Sequence, residues 1–231
     1  MNIQENALQI YNNNLTFLES HDKPLFDRIN NLSYAIEQNL YHERLFLEYK
    51  DDINAFNVYD NEHDLYLYTN QNDFNKKAIS ESKKDTDNSI LTIASMLRNR
   101  VHADISNIQS TTEAHFAKLS NFINQFKSYF PDHQYQEIHK IKRIDKFIFV
   151  GTLLGGHIEQ ICNNLDPIIC LIYEGNLELF RLSLFCTDYS KIAQNRNLKF
   201  SIMDDEKELN TKLLEYLNAG FESSFMVKYY S

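Results

Sequence analysis

The sequence predicts an α/β fold, with a helical and antiparallel β-meander front part followed by a partial Rossmann-like parallel sheet. Two observations carry this. Short apolar runs at residues 147–150, 168–173 and 200–203 each end in glycine or acid and alternate with segments of helical spacing. That is the pattern of parallel strands joined by crossover helices. Ahead of them, three aromatic-rich runs between Arg44 and Tyr68 are parted by Asp51-Asp52 and by Asp60-Asn-Glu-His-Asp64. Asp and Asn satisfy their own backbone in turns, so these breaks make the runs a meander.

In chain order, Ile3, Leu8, Tyr11, Leu15 and Leu18 form one apolar stripe and predict a helix over 3–20. Asp22 offers an N-cap and Pro24 suits the first turn of a second helix, running to about Asn31 with Leu25, Ile29 and Leu32 on its buried side. After the meander, residues 71–129 are helical in spacing. They are polar to about Lys84, then striped by Ile90, Ile93, Ala94, Leu97 and Val101 and by Leu119, Phe122, Ile123, Phe126 and Phe130. Pro131-Asp132 is the expected hinge. The parallel part then reads as strand, glycine loop, helix after Gly156, strand, helix 177–185, a turn from Asp188, strand, and a last helix over 206–217 capped by Gly220. Three such strands fit before the chain stops. The expected division is 1–130 for the front part, 131–145 for a connecting segment and 146–231 for the Rossmann-like part.

Bulk properties exclude several classes of function. A net charge of −9 over 231 residues disfavours a broad nucleic-acid or anionic-membrane surface. The three cysteines, Cys162, Cys170 and Cys186, lie in apolar contexts with no C-x-x-C pair. That suits reduced thiols in a cytoplasmic protein and argues against a zinc ribbon. The N-terminus has no basic and apolar leader pattern, and no run approaches the ~18 apolar residues of a membrane helix.

The candidate ligand-binding residues are Gly151, Gly155, Gly156, His157 and Glu174. Glycines after a strand let backbone approach a ligand, and the following helix N-terminus favours negative charge. The loop Gly151-Thr-Leu-Leu-Gly-Gly-His157 is not G-x-G-x-x-G, however, and two leucines fill it. A tight strand-to-helix turn with no ligand is the preferred reading, and a P-loop is excluded because no Gly-Lys-Ser/Thr follows. Glu174 stands where an acid accepts hydrogen bonds from ribose hydroxyls in dinucleotide and methyl-donor sites. It equally suits a solvent-facing acid or a cap on the helix at Asn176, and both readings stay open. Asp204, Asp205 and Glu208 suit a metal or acid–base pair, but a helix cap is preferred. No metal ligand set, catalytic residue or cofactor is assigned.

Three runs, 155–161, 172–185 and 187–191, together resemble the N-terminal region of motility accessory factor (Maf) proteins, the flagellin glycosyltransferases of polar-flagellated bacteria. They read Gly-Gly-His-Ile-Glu-Gln-Ile, Ile-Tyr-Glu-Gly-Asn-Leu-Glu-Leu-Phe-Arg-Leu-Ser-Leu-Phe and Thr-Asp-Tyr-Ser-Lys. Asn14-Leu-Thr-Phe-Leu18, Pro24-Leu-Phe26 and Leu65-Tyr-Leu-Tyr68 support the match. The resemblance implies transfer of a nonulosonic acid, pseudaminic or legionaminic, from a CMP donor to flagellin Ser or Thr. It places catalysis in a central domain with a Gly-Pro-Ser loop. This sequence contains no Gly-Pro pair and stops where that domain is expected to begin. The expectation is therefore a non-catalytic N-terminal module, a truncated product or excised domain, with flagellin and the catalytic domain as partners. The alternatives are a small methyltransferase holding S-adenosylmethionine through Gly151–Gly156 and Glu174, or a stand-alone scaffold.

Overall fold

The structure, a computed structural model, describes residues 3–89, 144–219 and 226–229. The chain forms two compact units. One joins Met1–Lys83 to Lys142–Ser231, and the other is Lys84–Ile141. Beyond Ser89 the second unit lies outside the described residues, as do the two later helical stripes, the Pro131 hinge and the Gly220 cap expected from sequence. Of the expected connecting segment 131–145, only Ile144 and Asp145 are described.

Helix α1 (Ile3–His21) buries Ala7, Tyr11, Asn14 and Leu18 at the four-three-four spacing of one helical face. Helix α2 (Lys23–Glu37) starts where Asp22 accepts the amide of Leu25, with Pro24 in its first turn. It runs past the expected Asn31, because nothing in the next residues breaks a helix, and ends before Asn39 in left-handed geometry (φ 56°). Strands β1 (Leu45–Lys50), β2 (Ala55–Asp60) and β3 (Leu65–Tyr66) make the antiparallel meander, with Phe46 opposite Tyr59 and Tyr59 opposite Tyr66. Its turns place Asn54 and Asp64 at positive φ, which these residues tolerate better than most. Helix α3 (Gln71–Ser89) follows.

The second sheet holds β4 (Lys146–Val150), β5 (Ile169–Glu174), β6 (Asn197–Ile202) and β7 (Met226–Tyr229), all parallel, in the order β6-β5-β4-β7. In sequence rank within the sheet this is 3-2-1-4, the opening of a doubly wound fold with its reversal between β4 and β7. The strand β7 is an addition to the three read from sequence. Four residues containing a lysine leave too short an apolar run to register. Helices α4 (Ile158–Leu165), α5 (Leu177–Ser183), α6 (Tyr189–Ala193) and α7 (Glu206–Asn218) make the connections.

Alternate residues of these strands feed two cores. Phe147, Phe149, Cys170, Ile172, Leu198, Phe200 and Ile202 pack with α4 and with Leu18, Leu25 and Ile29 of the first two helices. The front helices thus share a core with the sheet. On the opposite face Ile148, Ile169 and Leu171 lie under Tyr216 of α7. The outer edge of β6 is covered by side chains: His21 bonds the carbonyl of Leu198 (2.6 Å) and Arg28 donates to that of Ile202 (2.8 Å). An open edge invites another strand, and here two polar side chains occupy it.

Candidate functional site

The loop from Gly151 to His157 leaves the carboxyl end of β4, where a doubly wound fold takes its ligand. Gly151, Leu153 and Gly155 all have positive φ (83°, 46° and 72°). Several of its amides bond within the protein. Gly151 donates to Tyr173 O (2.9 Å) and Gly155 to Thr152 O (2.8 Å). Leu154 donates to the Tyr68 hydroxyl (2.7 Å), and its carbonyl accepts the Thr187 hydroxyl (2.8 Å). Leu153 and Leu154 are buried against Leu45, Val58 and Tyr68 of the meander region and Leu179 and Leu182 of α5. The space above the loop is thus filled by the chain's own front part.

The two later glycines are explained by the same crowding. A Cβ on Gly155 would lie 2.5 Å from Thr187 Oγ1 and 3.0 Å from the Tyr189 hydroxyl. On Gly156 it would lie 2.6 Å from Asn75 Nδ2. Backbone approaches side chain here, as it approaches phosphate elsewhere. Gly155→Ala combines left-handed backbone with contact against a hydroxyl already fixed to Leu154 O, and is expected to cost about 2–4 kcal/mol. Gly156→Ala meets only the tip of a flexible side chain and is expected to cost about 1 kcal/mol or less. Urea unfolding of both variants checks the contrast, and equal costs would remove the packing account.

His157 is fully buried, edge-on to Phe74 (5.7 Å) and beside Phe149 (6.4 Å). Burial pushes its pKa from 6.5 down to about 3. The ring is neutral in the folded state and protonated in the unfolded chain below 6.5. The unfolded state therefore binds more protons between pH 3 and 6.5, so this contribution to stability is complete above 6.5 and is lost as pH falls towards 3. Between pH 7 and pH 5 the loss from His157 alone is about 2 kcal/mol. His157→Leu should flatten the pH dependence of urea unfolding by that amount relative to the parent. Parallel curves would show that the ring is not desolvated.

Glu174 is buried at the tip of β5. Its Oε2 accepts the amide (2.8 Å) and hydroxyl (3.0 Å) of Thr152, and its Oε1 accepts the amide of Asn176 (3.0 Å). One carboxylate therefore ties the loop after β4 to the loop after β5. Asn176 in turn caps α5 through Leu179 N (3.1 Å). Of the sequence candidates, Glu174 and the glycine loop are brought together through Thr152, to which Glu174 and Gly155 both bond.

The surrounding anchors lay outside the sequence candidates. Glu178, buried on α5, accepts the amides of Arg44 (3.3 and 3.2 Å) and Leu45 (2.9 Å) and the hydroxyl of Tyr41. Arg181 pairs with Glu43 (2.9 Å) and donates to Ser33 Oγ (3.0 Å). Asn14, fully buried, donates to Leu184 O (2.8 Å) and Thr187 O (2.7 Å) and accepts from Ser190 N (3.2 Å). The segment 172–191 thus holds the meander, α1 and the glycine loop in one place. A signal for Asn14 existed: it is a polar residue within the apolar stripe between Tyr11 and Leu18. Glu178 had no comparable local mark.

Asp205 caps α7 by accepting Glu208 N (2.8 Å), and Glu208 completes a capping box. Asp204 is buried between Arg28 (3.1 Å) and Lys212 (2.6 Å) and accepts Ser201 Oγ (2.8 Å). Asp205 and Glu208 form the expected cap, whereas the ion pairs of Asp204 were not foreseen from sequence. Asp60, Glu62 and His63 also lie together, but Arg44 pairs with Asp60 (2.6 Å) and Glu62 (2.9 Å). Hydrogen bonds from that guanidinium hold Asp60 well below the usual carboxylate range. All three cysteines carry free thiols. No helix among the described residues is long and apolar enough to cross a membrane.

Comparison with known proteins gives a family and a fold. The family described as the glycosyltransferase Maf N-terminal domain matches residues 10–229. A solved structure of a Maf glycosyltransferase from Magnetospirillum magneticum AMB-1 is similar over 97% of this chain, at a TM-score of 0.56 and 12% identity. The match covers 33% of that longer chain, so this chain spans about a third of its length. No curated protein matches this chain in sequence.

Proposed function

The chain belongs to the Maf glycosyltransferase N-terminal domain family, and from that membership we propose that it is the non-catalytic N-terminal module of such an enzyme. The whole enzyme transfers a nonulosonic acid, pseudaminic or legionaminic, from a CMP donor to Ser or Thr of flagellin in the cytoplasm. The module positions flagellin or supports the catalytic domain and has no turnover alone. The observation that carries the non-catalytic reading is Glu174. Both of its oxygens accept hydrogen bonds from the chain, and Leu153 and Leu154 lie buried above the sheet beside it. Three of the roughly four acceptor positions of this carboxylate are taken by the chain, which supports a role in holding the fold.

The test is incubation of this chain with CMP-pseudaminic acid and flagellin, with intact mass of flagellin as the readout. No added mass is expected, and transfer by this chain alone would overturn the reading. The methyltransferase alternative is separated by calorimetric titration with S-adenosylmethionine. The expected result is no saturable heat, whereas saturable binding lost in Glu174→Ala would favour the alternative.

A further inference from the structure

The side of the meander turned away from its core carries a row of aromatic rings across all three strands. Phe46 of β1 is in register with Tyr59 of β2, and Tyr59 with Tyr66 of β3. The rings of Tyr59 and Tyr66 are 5.2 Å apart, and Phe46 and Tyr66 are exposed at 39% and 40%. The opposite face, with Leu45 and Val58, supplies the core. The meander does not need this row to fold onto the sheet, and exposed aromatic side chains of this size are what interfaces use.

The chemistry around the rings selects the partner. Between Glu43 and Asp64 there are seven acids and two basic residues, which together carry five of the chain's nine net negative charges. The hydroxyl of Tyr59 donates to Asp64 (2.6 Å) and that of Tyr66 to Glu48 (2.8 Å). Each phenol is thus bonded to a carboxylate, and that of Tyr66 also accepts from the Lys50 ammonium (2.5 Å). The chain itself shows what such a face accepts: the ammonium of Lys50 lies 4.0 Å over the centre of the Tyr66 ring and pairs with Glu48 (2.9 Å). Nucleic acid and anionic lipid would meet like charge here.

We propose that the outer face of the meander, centred on Phe46, Tyr59 and Tyr66, docks an arginine- or lysine-rich polypeptide segment of a partner protein. Cationic side chains of the partner lie on Phe46 and Tyr59 and add to the Lys50 ammonium already on Tyr66, and the exposed carboxylates of Asp51, Asp52 and Asp64 pair with them. The inference stands on this surface and is independent of the transfer reaction.

The probe is a fluorescein-labelled peptide alternating arginine with glycine, with a counterpart carrying neutral citrulline in place of arginine. In fluorescence anisotropy the arginine peptide should bind saturably and the citrulline peptide should not. The double variant Phe46→Ser/Tyr66→Ser should bind the arginine peptide about tenfold more weakly. Unchanged affinity in that variant would reduce the effect to general charge attraction and overturn the proposal, as would the absence of saturable binding. A measurement on the parent protein avoids reliance on the variants. Amide chemical-shift changes on adding the arginine peptide should be confined to residues 45–66, and changes centred elsewhere overturn the proposal. Tighter binding of a single-stranded oligonucleotide to the same face would also overturn it in favour of base stacking.

Discussion

Glu174→Ala should lower the stability of the protein by about 4 kcal/mol, with a fall in Tm on the order of 10 °C. The substitution removes one buried carboxylate and leaves two amides and one hydroxyl, on Thr152 and Asn176, without their acceptors. The two Thr152 donors are buried and bear the full cost of lost solvation, while the Asn176 amide is only part-buried. Glu174→Gln should cost about half as much. One amide oxygen still accepts, but the NH2 group faces either Thr152 or Asn176 as donor against donor. Thermal unfolding by circular dichroism at neutral pH is the measurement. An acid kept for a ligand's hydroxyls is dispensable to the empty fold, so a change below about 1 kcal/mol would show that Glu174 is held for binding rather than for structure.

Asn14→Leu should cost about 3 kcal/mol by urea unfolding, although it preserves size and removes a polar atom from the core. The Asn14 amide donates to Leu184 O and to Thr187 O, which also accepts Tyr189 N (3.1 Å), and the Asn14 oxygen accepts Ser190 N. Leucine removes the Asn14 partner of Leu184 O and Ser190 N and leaves Thr187 O with the Tyr189 amide. Asn14→Asp should be at least as damaging at neutral pH, because it sets a carboxylate against two carbonyl oxygens. Acidification should recover part of that loss, since a protonated carboxyl can donate to one of them. A mild effect from leucine, near 1 kcal/mol, would mean that the loop moves to find other partners.

Elements with a strong local pattern were legible. The meander's first strand follows from Leu45-Phe-Leu and the acids that stop it. The β4 and β5 strands follow from their apolar runs, and the caps at Asp22 and Asp205 follow from residue type, whereas the segment after Asp188, which reads as a turn, is a short helix capped by Asp188. The short β7 lacked any such pattern, and the extent of α2 was hidden by its two asparagines. The glycine loop and Glu174 were visible as a place where chain geometry is special. Their purpose was not, because it depends on Thr187, Tyr68 and Thr152 arriving from other parts of the chain. A sequence shows that Gly155 needs an unusual backbone, but only the fold shows that Thr187 Oγ1 is what crowds it.

The contacts that fix the first two helices carry a consequence for biogenesis. Asn14, His21 and Arg28 find their partners 170 to 177 residues further along the chain. As the nascent polypeptide leaves the ribosome, these helices emerge well before β6 and wait, amphipathic and undocked, until it has been synthesised. Long-range closure of this kind is slow, and a chain released early would expose Leu18, Leu25 and Ile29 to chaperones and proteases.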